Sequence, residues 1–169
     1  ALVIINIFIY WQVYRFDYVS FDDGQYIYKN PRILLGFTID NIVWALTSFA
    51  ASNWHPLTWI SHFLDMELFG KNPGAQHVVN TVFHIINSLL LYRALLKLTG
   101  SNWSSAFVAA IFAVHPLQVE SVAWISERKN LLSTLFFLAA LYLYTPYVKS
   151  RSKSLYWGIV LIYACGLMS

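Results

Sequence analysis

The chain has 169 residues, of which 58% are hydrophobic and 11% charged, with a net charge of +3 and a mean hydropathy of +0.54. A soluble domain carries roughly a quarter charged residues, so this chain has too little polar surface to cover a water-soluble globule. Its few basic residues are scattered, which argues against a nucleic-acid partner, and lipid is the natural solvent for so apolar a surface.

Aromatic residues make up 18% of the chain, with seven Trp and eleven Tyr. Their half-apolar, half-polar rings suit the headgroup level of a bilayer. The single cysteine, Cys165, lies in an apolar run and defines no disulfide framework.

In chain order, residues 1–11 are apolar but too few to span a bilayer, which takes about 20 residues. No basic region precedes them and no small-residue cleavage site follows, so a signal peptide is not the reading. They read as the end of a transmembrane helix that starts before residue 1. A more polar stretch, 12–73, follows. Segments 74–98, 103–119 and 130–147 read as transmembrane helices, and 155–169 as the start of another. The expected fold is all-α: a polytopic membrane helix bundle cut at both ends, with a large first extracytoplasmic loop.

The 12–73 loop carries two helix signals of its own. Thr38 can cap a helix running to Ala51, with Ile39, Ile42, Val43, Leu46, Phe49 and Ala50 on one apolar face. A second helix starts at His55-Pro56, proline being favoured in the first turn. Its apolar stripe is Trp59, Ile60, Phe63, Leu64 and Leu68, with Ser61, His62 and Asp65 opposite. Both read as surface helices lying on the membrane or over the bundle mouth.

Lysine and arginine near short loops set orientation. Arg93 and Lys97 end one span, and Lys149, Arg151 and Lys153 precede the last. These fall on one side, read as cytoplasmic. Every acidic residue (Asp17, Asp22, Asp23, Asp40, Asp65, Glu67, Glu120, Glu127) falls on the other.

Three groups of residues could carry chemistry. Asp22-Asp23 precede Gly24. Two adjacent carboxylates can act as a base and its supporting partner, while Asp-Gly is also a common turn. On the first full span, Asn80, His84 and Asn87 follow His77 at offsets of 3, 7 and 10, which puts all four on one helix face. They read either as interhelical hydrogen bonds or as a cavity lining. His77 and His84 are about 10 Å apart along the axis, too far to share a metal ion, and no metal site is expected anywhere. The turn at 115–129 holds Glu120, Glu127, Arg128 and Lys129 beside the bilayer. Its basic pair suits an anionic headgroup or phosphate, or simply snorkels to the interface.

Two longer strings carry a family resemblance. One is Asn53-Trp54-His55-Pro56-Leu57-Thr58-Trp59-Ile60-Ser61-His62, followed by Leu64-Asp65 and Leu68-Phe69-Gly70. The other runs from Ala113 to Lys129, with Leu131-Leu132-Ser133 after it. Both resemble blocks in the TMTC-type membrane proteins, which carry tetratricopeptide repeats and are similar to the GT-C glycosyltransferases. The resemblance covers essentially the whole chain. It implies a multi-pass enzyme that transfers a sugar, mannose in eukaryotic members, from a polyprenyl or dolichyl phosphate carrier to a protein Ser/Thr hydroxyl. It implies a donor lipid and a protein acceptor as partners, in a bacterial inner membrane or the endoplasmic reticulum. It also implies tetratricopeptide repeats after this chain, and larger bundles than the three full and two partial spans read here, too few to enclose a lipid-carrier groove, so that the chain alone should be inactive.

The family's acidic motif maps onto Asp22-Asp23, with Asp22 as the expected base and Asp23 its support. Chemistry and side of the membrane, rather than the resemblance, add His55, His115, Glu120, Arg128 and Lys129 as substrate- or phosphate-binding candidates. The competing classes are a transporter or flippase for a lipid-linked or anionic molecule, with the His77-Asn80-His84 stripe lining its path, and a non-catalytic anchor for a repeat domain.

Overall fold

A computed structural model describes residues 1–169 and is all-helical. Nine α-helices run in order: α1 (Leu2–Tyr10), α2 (Pro31–Leu34), α3 (Ile39–Thr47), α4 (Pro56–Phe69), α5 (Pro73–Thr99), α6 (Asn102–Val114), α7 (Gln118–Ala123), α8 (Arg128–Ser150) and α9 (Lys153–Leu167). Short 3₁₀ and π turns join them. Two helices are long and apolar enough to cross a membrane, α5 and the combined Ile125–Ser150 segment that contains α8.

α5 is the axis of the bundle. Asn72 caps it by accepting the Ala75 N–H at 3.1 Å, and Pro73 occupies the first turn. Gly100, at φ 70°, ends it in the left-handed conformation that favours glycine. Its 27 residues extend about 40 Å. Near its start the backbone of Tyr14 passes so close to Gly74 that a Cβ there would sit 2.1 Å from the Tyr14 carbonyl oxygen. α1, α6 and α8 pack around it.

α6 stops at Val114, short of the 103–119 segment read from hydropathy. His115 precedes Pro116, and the proline ring disfavours helical backbone at the residue before it; His115 is accordingly extended, at φ −65° and ψ 130°.

The 12–73 stretch builds its own small core. Tyr26, Ile27, Ile33, Ala45, Trp59 and Phe63 pack together and onto Ile125 from the start of the second long helix. A second cluster, Tyr10, Val13, Val122 and Leu131, joins α1 to α7 and α8. Many large apolar side chains on α1, α6, α8 and α9 face outward, among them Phe8, Phe107, Phe137 and Leu161. That is the pattern of a surface solvated by lipid rather than water.

The two surface helices form, and the polar face of α4 differs from the helical-wheel reading. Thr38 caps α3 as expected, accepting from the Asn41 N–H at 3.2 Å. The apolar stripe of α3 points outward, with Ile39 80% and Phe49 just beyond it 72% exposed. Asn41 and Ala45 face inward instead. Asn41 donates to the carbonyls of Arg32 and Gly36 at 2.9 and 2.8 Å, which holds that face in place. On α4, His62 and Asp65 are buried rather than on an outer polar face. For Asp65 the cause is the Arg128 cation, which arrives from α8.

Candidate functional site

Residues 126–129 link the second long helix to three other parts of the chain. Ser126 donates its backbone N–H to Asp23 Oδ1 at 3.0 Å. Glu127 pairs with Lys129, Oε1 to Nζ at 2.9 Å, and also accepts from the Asn130 amide. Arg128 turns the other way, into the protein.

Arg128 is 0% exposed. Its Nη1 meets Asp65 Oδ2 at 2.5 Å. Its Nε donates to Asn80 Oδ1 at 2.8 Å and its Nη2 to the Gln76 carbonyl at 3.1 Å. All three nitrogens are therefore engaged with α4 and α5. A guanidinium held this way presents no free fork to a phosphate, so Arg128 joins the helices instead of reaching a ligand. Burial pushes the Asp65 carboxyl up, and the Arg128 cation pulls against that.

The polar stripe on α5 is used in the same manner. Asn80 donates to the Trp124 carbonyl at 3.1 Å and Asn87 to the Leu131 carbonyl at 2.9 Å. His77 Nε2 lies 3.3 Å from the Asp17 carbonyl, and His84 Nε2 lies 3.2 Å from the Ala113 carbonyl. His77, Asn80, His84 and Asn87 are all buried. These side chains tie neighbouring segments together at their backbone carbonyls, and none of them lines one of the five main pockets.

The two adjacent aspartates have different surroundings. Asp23 is 0% exposed and holds two backbone donors, Ser126 N–H on Oδ1 and Val19 N–H on Oδ2 at 2.8 Å. It closes the 19–23 turn and fastens it to the start of the second long helix. Burial pushes its carboxyl up, and the two N–H donors oppose this. Asp22 is half-buried and makes no side-chain hydrogen bond. It lies within electrostatic reach of Lys129 and Tyr26.

Lys129 opens a polar pocket of about 220 Å³, lined also by Asn53, Trp54, His55, Asn130, Ser133 and Ser169. Its Nζ stands 5.3 Å from the centre of the Tyr26 ring. His55 stacks on Tyr26 at 5.5 Å and on Trp59 at 4.8 Å. It is 2% exposed, and neither ring nitrogen has a partner. Burial first, and the Lys129 cation second, push its pKa down to about 4, so the imidazole is neutral at pH 7. His62 is held neutral in the same way, by burial and then by Arg128 and His55.

His115 and Glu120 are not brought to this pocket. His115 is exposed, and its Nδ1 accepts the Leu117 N–H at 3.2 Å at the entry to α7. Glu120 edges a separate apolar groove formed by Val19, Phe21, Val119, Ala123 and Trp124. Sequence reading thus missed Asn53, Asn130, Ser133 and the pairing role of Asp65. The signal for Asp65 was an arginine leading into an apolar run, which demands a counter-charge from somewhere in the chain.

The chain is 31% identical to mouse (Mus musculus) protein O-mannosyl-transferase TMTC3 over 160 residues, which cover 90% of this chain and 17% of that one. The chain is homologous to the TMTC proteins. It is also 35% identical over 163 residues to a protein O-mannosyl-transferase of Caenorhabditis elegans, covering 89% of this chain and 23% of the relative. With human (Homo sapiens) TMTC1 it shares 38% identity over 128 residues, 70% of this chain and 14% of that one. This TMTC homologue therefore spans only 14% to 23% of the length of these curated relatives. No protein-family model and no solved structure matches it. The relatives and the two long apolar helices together make it a membrane protein.

Proposed function

We propose that this chain is part of a multi-pass membrane protein O-mannosyltransferase, and that Asp22 is its general base. The observation that carries this reading is the division between the two aspartates: Asp23 is locked by two backbone donors, and Asp22 makes no side-chain hydrogen bond and lies within electrostatic reach of Lys129, which lines a polar pocket. The names of the relatives supply the reaction class.

In the proposed reaction, a Ser or Thr hydroxyl of a protein acceptor gives its proton to Asp22 as its oxygen attacks the anomeric carbon of the donor sugar. The bond from that carbon to the carrier phosphate breaks, and the phosphate leaves with the electron pair. The configuration at the anomeric carbon inverts. Asp22 then releases the proton to solvent. The negative charge of Asp22 also favours the cationic character that grows on the sugar. Asp23 positions its neighbour. The donor in this reading is a polyprenyl-phosphate sugar, the bundle is GT-C-like, and the acidic side is extracytoplasmic, in a bacterial inner membrane or the endoplasmic reticulum.

A transporter reading draws no support from the α5 stripe, whose four side chains are buried and each reach a backbone carbonyl of a neighbouring segment. The test uses full-length protein with labelled polyprenyl-phosphate mannose and a Ser/Thr-containing peptide. The expected product is labelled peptide with inverted anomeric configuration. Movement of the intact lipid-linked sugar across liposomes, with no label on peptide, would overturn the reading in favour of transport.

A further inference from the structure

The polar pocket at Lys129 has a chemistry that the reaction class alone does not assign. We infer that Asn53, Trp54, His55, Lys129, Asn130 and Ser133 form a subsite for the hydroxyl groups of one neutral sugar ring rather than for an anion. The inference rests on the transferase reading only for the part the ring plays in a reaction; binding itself stands on the geometry.

Size comes first. At about 220 Å³ the pocket is smaller than the roughly 300–1,000 Å³ of sites for drug-sized ligands, so it has room for about one ring. Donor and acceptor types come second. The Asn53 and Asn130 amides each donate one N–H within the chain, to the Ala51 carbonyl and to Glu127, and keep a second N–H and a carbonyl oxygen, while the Ser133 hydroxyl donates to the Asn130 carbonyl and keeps its acceptor capacity. An ionised phosphate oxygen only accepts. His55 adds a neutral imidazole, which is a donor at one nitrogen and an acceptor at the other, with neither yet partnered. A buried polar group without a partner is a standing cost that a ligand or water at the site can relieve. Trp54 contributes a flat aromatic wall, suited to the C–H face of a sugar ring.

Charge decides between sugar and anion. Lys129 is the one cation on the pocket wall. Glu127 lies 2.9 Å from its Nζ, and Asp22 is within electrostatic reach. Two carboxylates against one ammonium leave the neighbourhood net negative. A phosphate would have to enter against that field, whereas a neutral polyol does not.

The test is saturation-transfer NMR on wild-type full-length protein with no lipid-linked donor present, so that binding is read without turnover and with the Asp22 charge in place. Methyl α-mannoside is the probe and inorganic phosphate the competitor. The expected result is transfer of saturation to the mannoside that phosphate at equal concentration does not reduce. His55→Phe keeps the stack on Tyr26 and Trp59 but removes both ring nitrogens, and Ser133→Leu fills the pocket. In whichever of the two melts like the parent, mannoside binding should weaken about tenfold. No saturation transfer to the mannoside, displacement by phosphate, or full binding in a parent-like His55→Phe and Ser133→Leu would overturn the inference. Mannoside binding by a protein that transfers no sugar would leave the pocket and remove the transferase reading. Sugar transfer by wild type that persists in Ser133→Leu with an unchanged donor KM would do the reverse.

Discussion

Arg128 and Lys129 are adjacent in the chain and occupy opposite surroundings. Arg128 has every nitrogen engaged inside the protein, by Asp65, Asn80 and Gln76. Lys129 faces a pocket and shares its charge with Glu127 and Asp22 at a partly open edge. Asp22 and Asp23 show the same split, one free and one tied by two backbone donors. In each pair the fully satisfied member holds helices or turns together. The member left with unused capacity is the one that a ligand can still engage. Residue type alone, basic or acidic, does not separate the two roles; hydrogen-bond accounting does.

The largest expected effect comes from breaking the satisfied side. Arg128→Met leaves the Asp65 carboxylate buried without a partner, which should cost about 3–5 kcal/mol in unfolding free energy. The double variant Arg128→Met with Asp65→Leu should recover most of that loss, because no buried charge then remains. Unfolding in detergent, followed by circular dichroism, reads both. A double variant as unstable as the single one would mean that the pair contributes more than charge compensation.

An intermediate effect is expected from pH. His55 has its folded pKa depressed from 6.5 to about 4. The fold therefore prefers the neutral ring, and the unfolded chain binds the proton more readily. The stability His55 contributes is fully present above pH 6.5 and is lost as pH falls toward 4. Asp23 and Asp65, raised by burial, act in the opposite sense. The informative quantity is thus the difference between wild type and His55→Phe. Wild type should lose stability relative to the variant between pH 6.5 and 4. Melting curves across that window that run parallel for the two proteins would contradict the assignment.

The smallest effect belongs to Lys129. Its ion pair with Glu127 is partly exposed, and such pairs contribute between zero and about 1 kcal/mol. Lys129→Met should therefore leave the melting temperature nearly unchanged, in contrast to Arg128→Met. A loss as large as that of Arg128→Met would erase the distinction between the two residues.

The helical class was legible because apolar runs and caps are local signals. Thr38 as the cap of α3 and Pro56 at the start of α4 both follow from residues within one turn. The direction each surface helix faces was not legible. A helical wheel puts Asp65 and His62 in solvent, but Arg128 lies far along the chain and supplies the counter-charge that draws Asp65 inward. The outward turn of the α3 stripe is fixed by the Asn41 bonds to Arg32 and Gly36, partners that the stripe itself does not announce. The candidate site was legible as a set of residue types near one turn. It was not legible which of two neighbouring carboxylates, or of two neighbouring cations, remained free, since that depends on partners such as Val19, Ser126 and Gln76 that carry no signature.

The division between Asp22 and Asp23 is the claim on which the account turns. Its most direct test measures sugar transfer and melting temperature side by side for Asp22→Asn and Asp23→Asn in the full-length protein. Asp22→Asn should melt like wild type and lose transfer by about 10²–10⁴-fold, the range typical of a removed general base. Asp23→Asn should lower the melting temperature, because two buried backbone donors lose their carboxylate. Wild-type transfer by Asp22→Asn, or an Asp23→Asn protein as stable as wild type, would contradict the account.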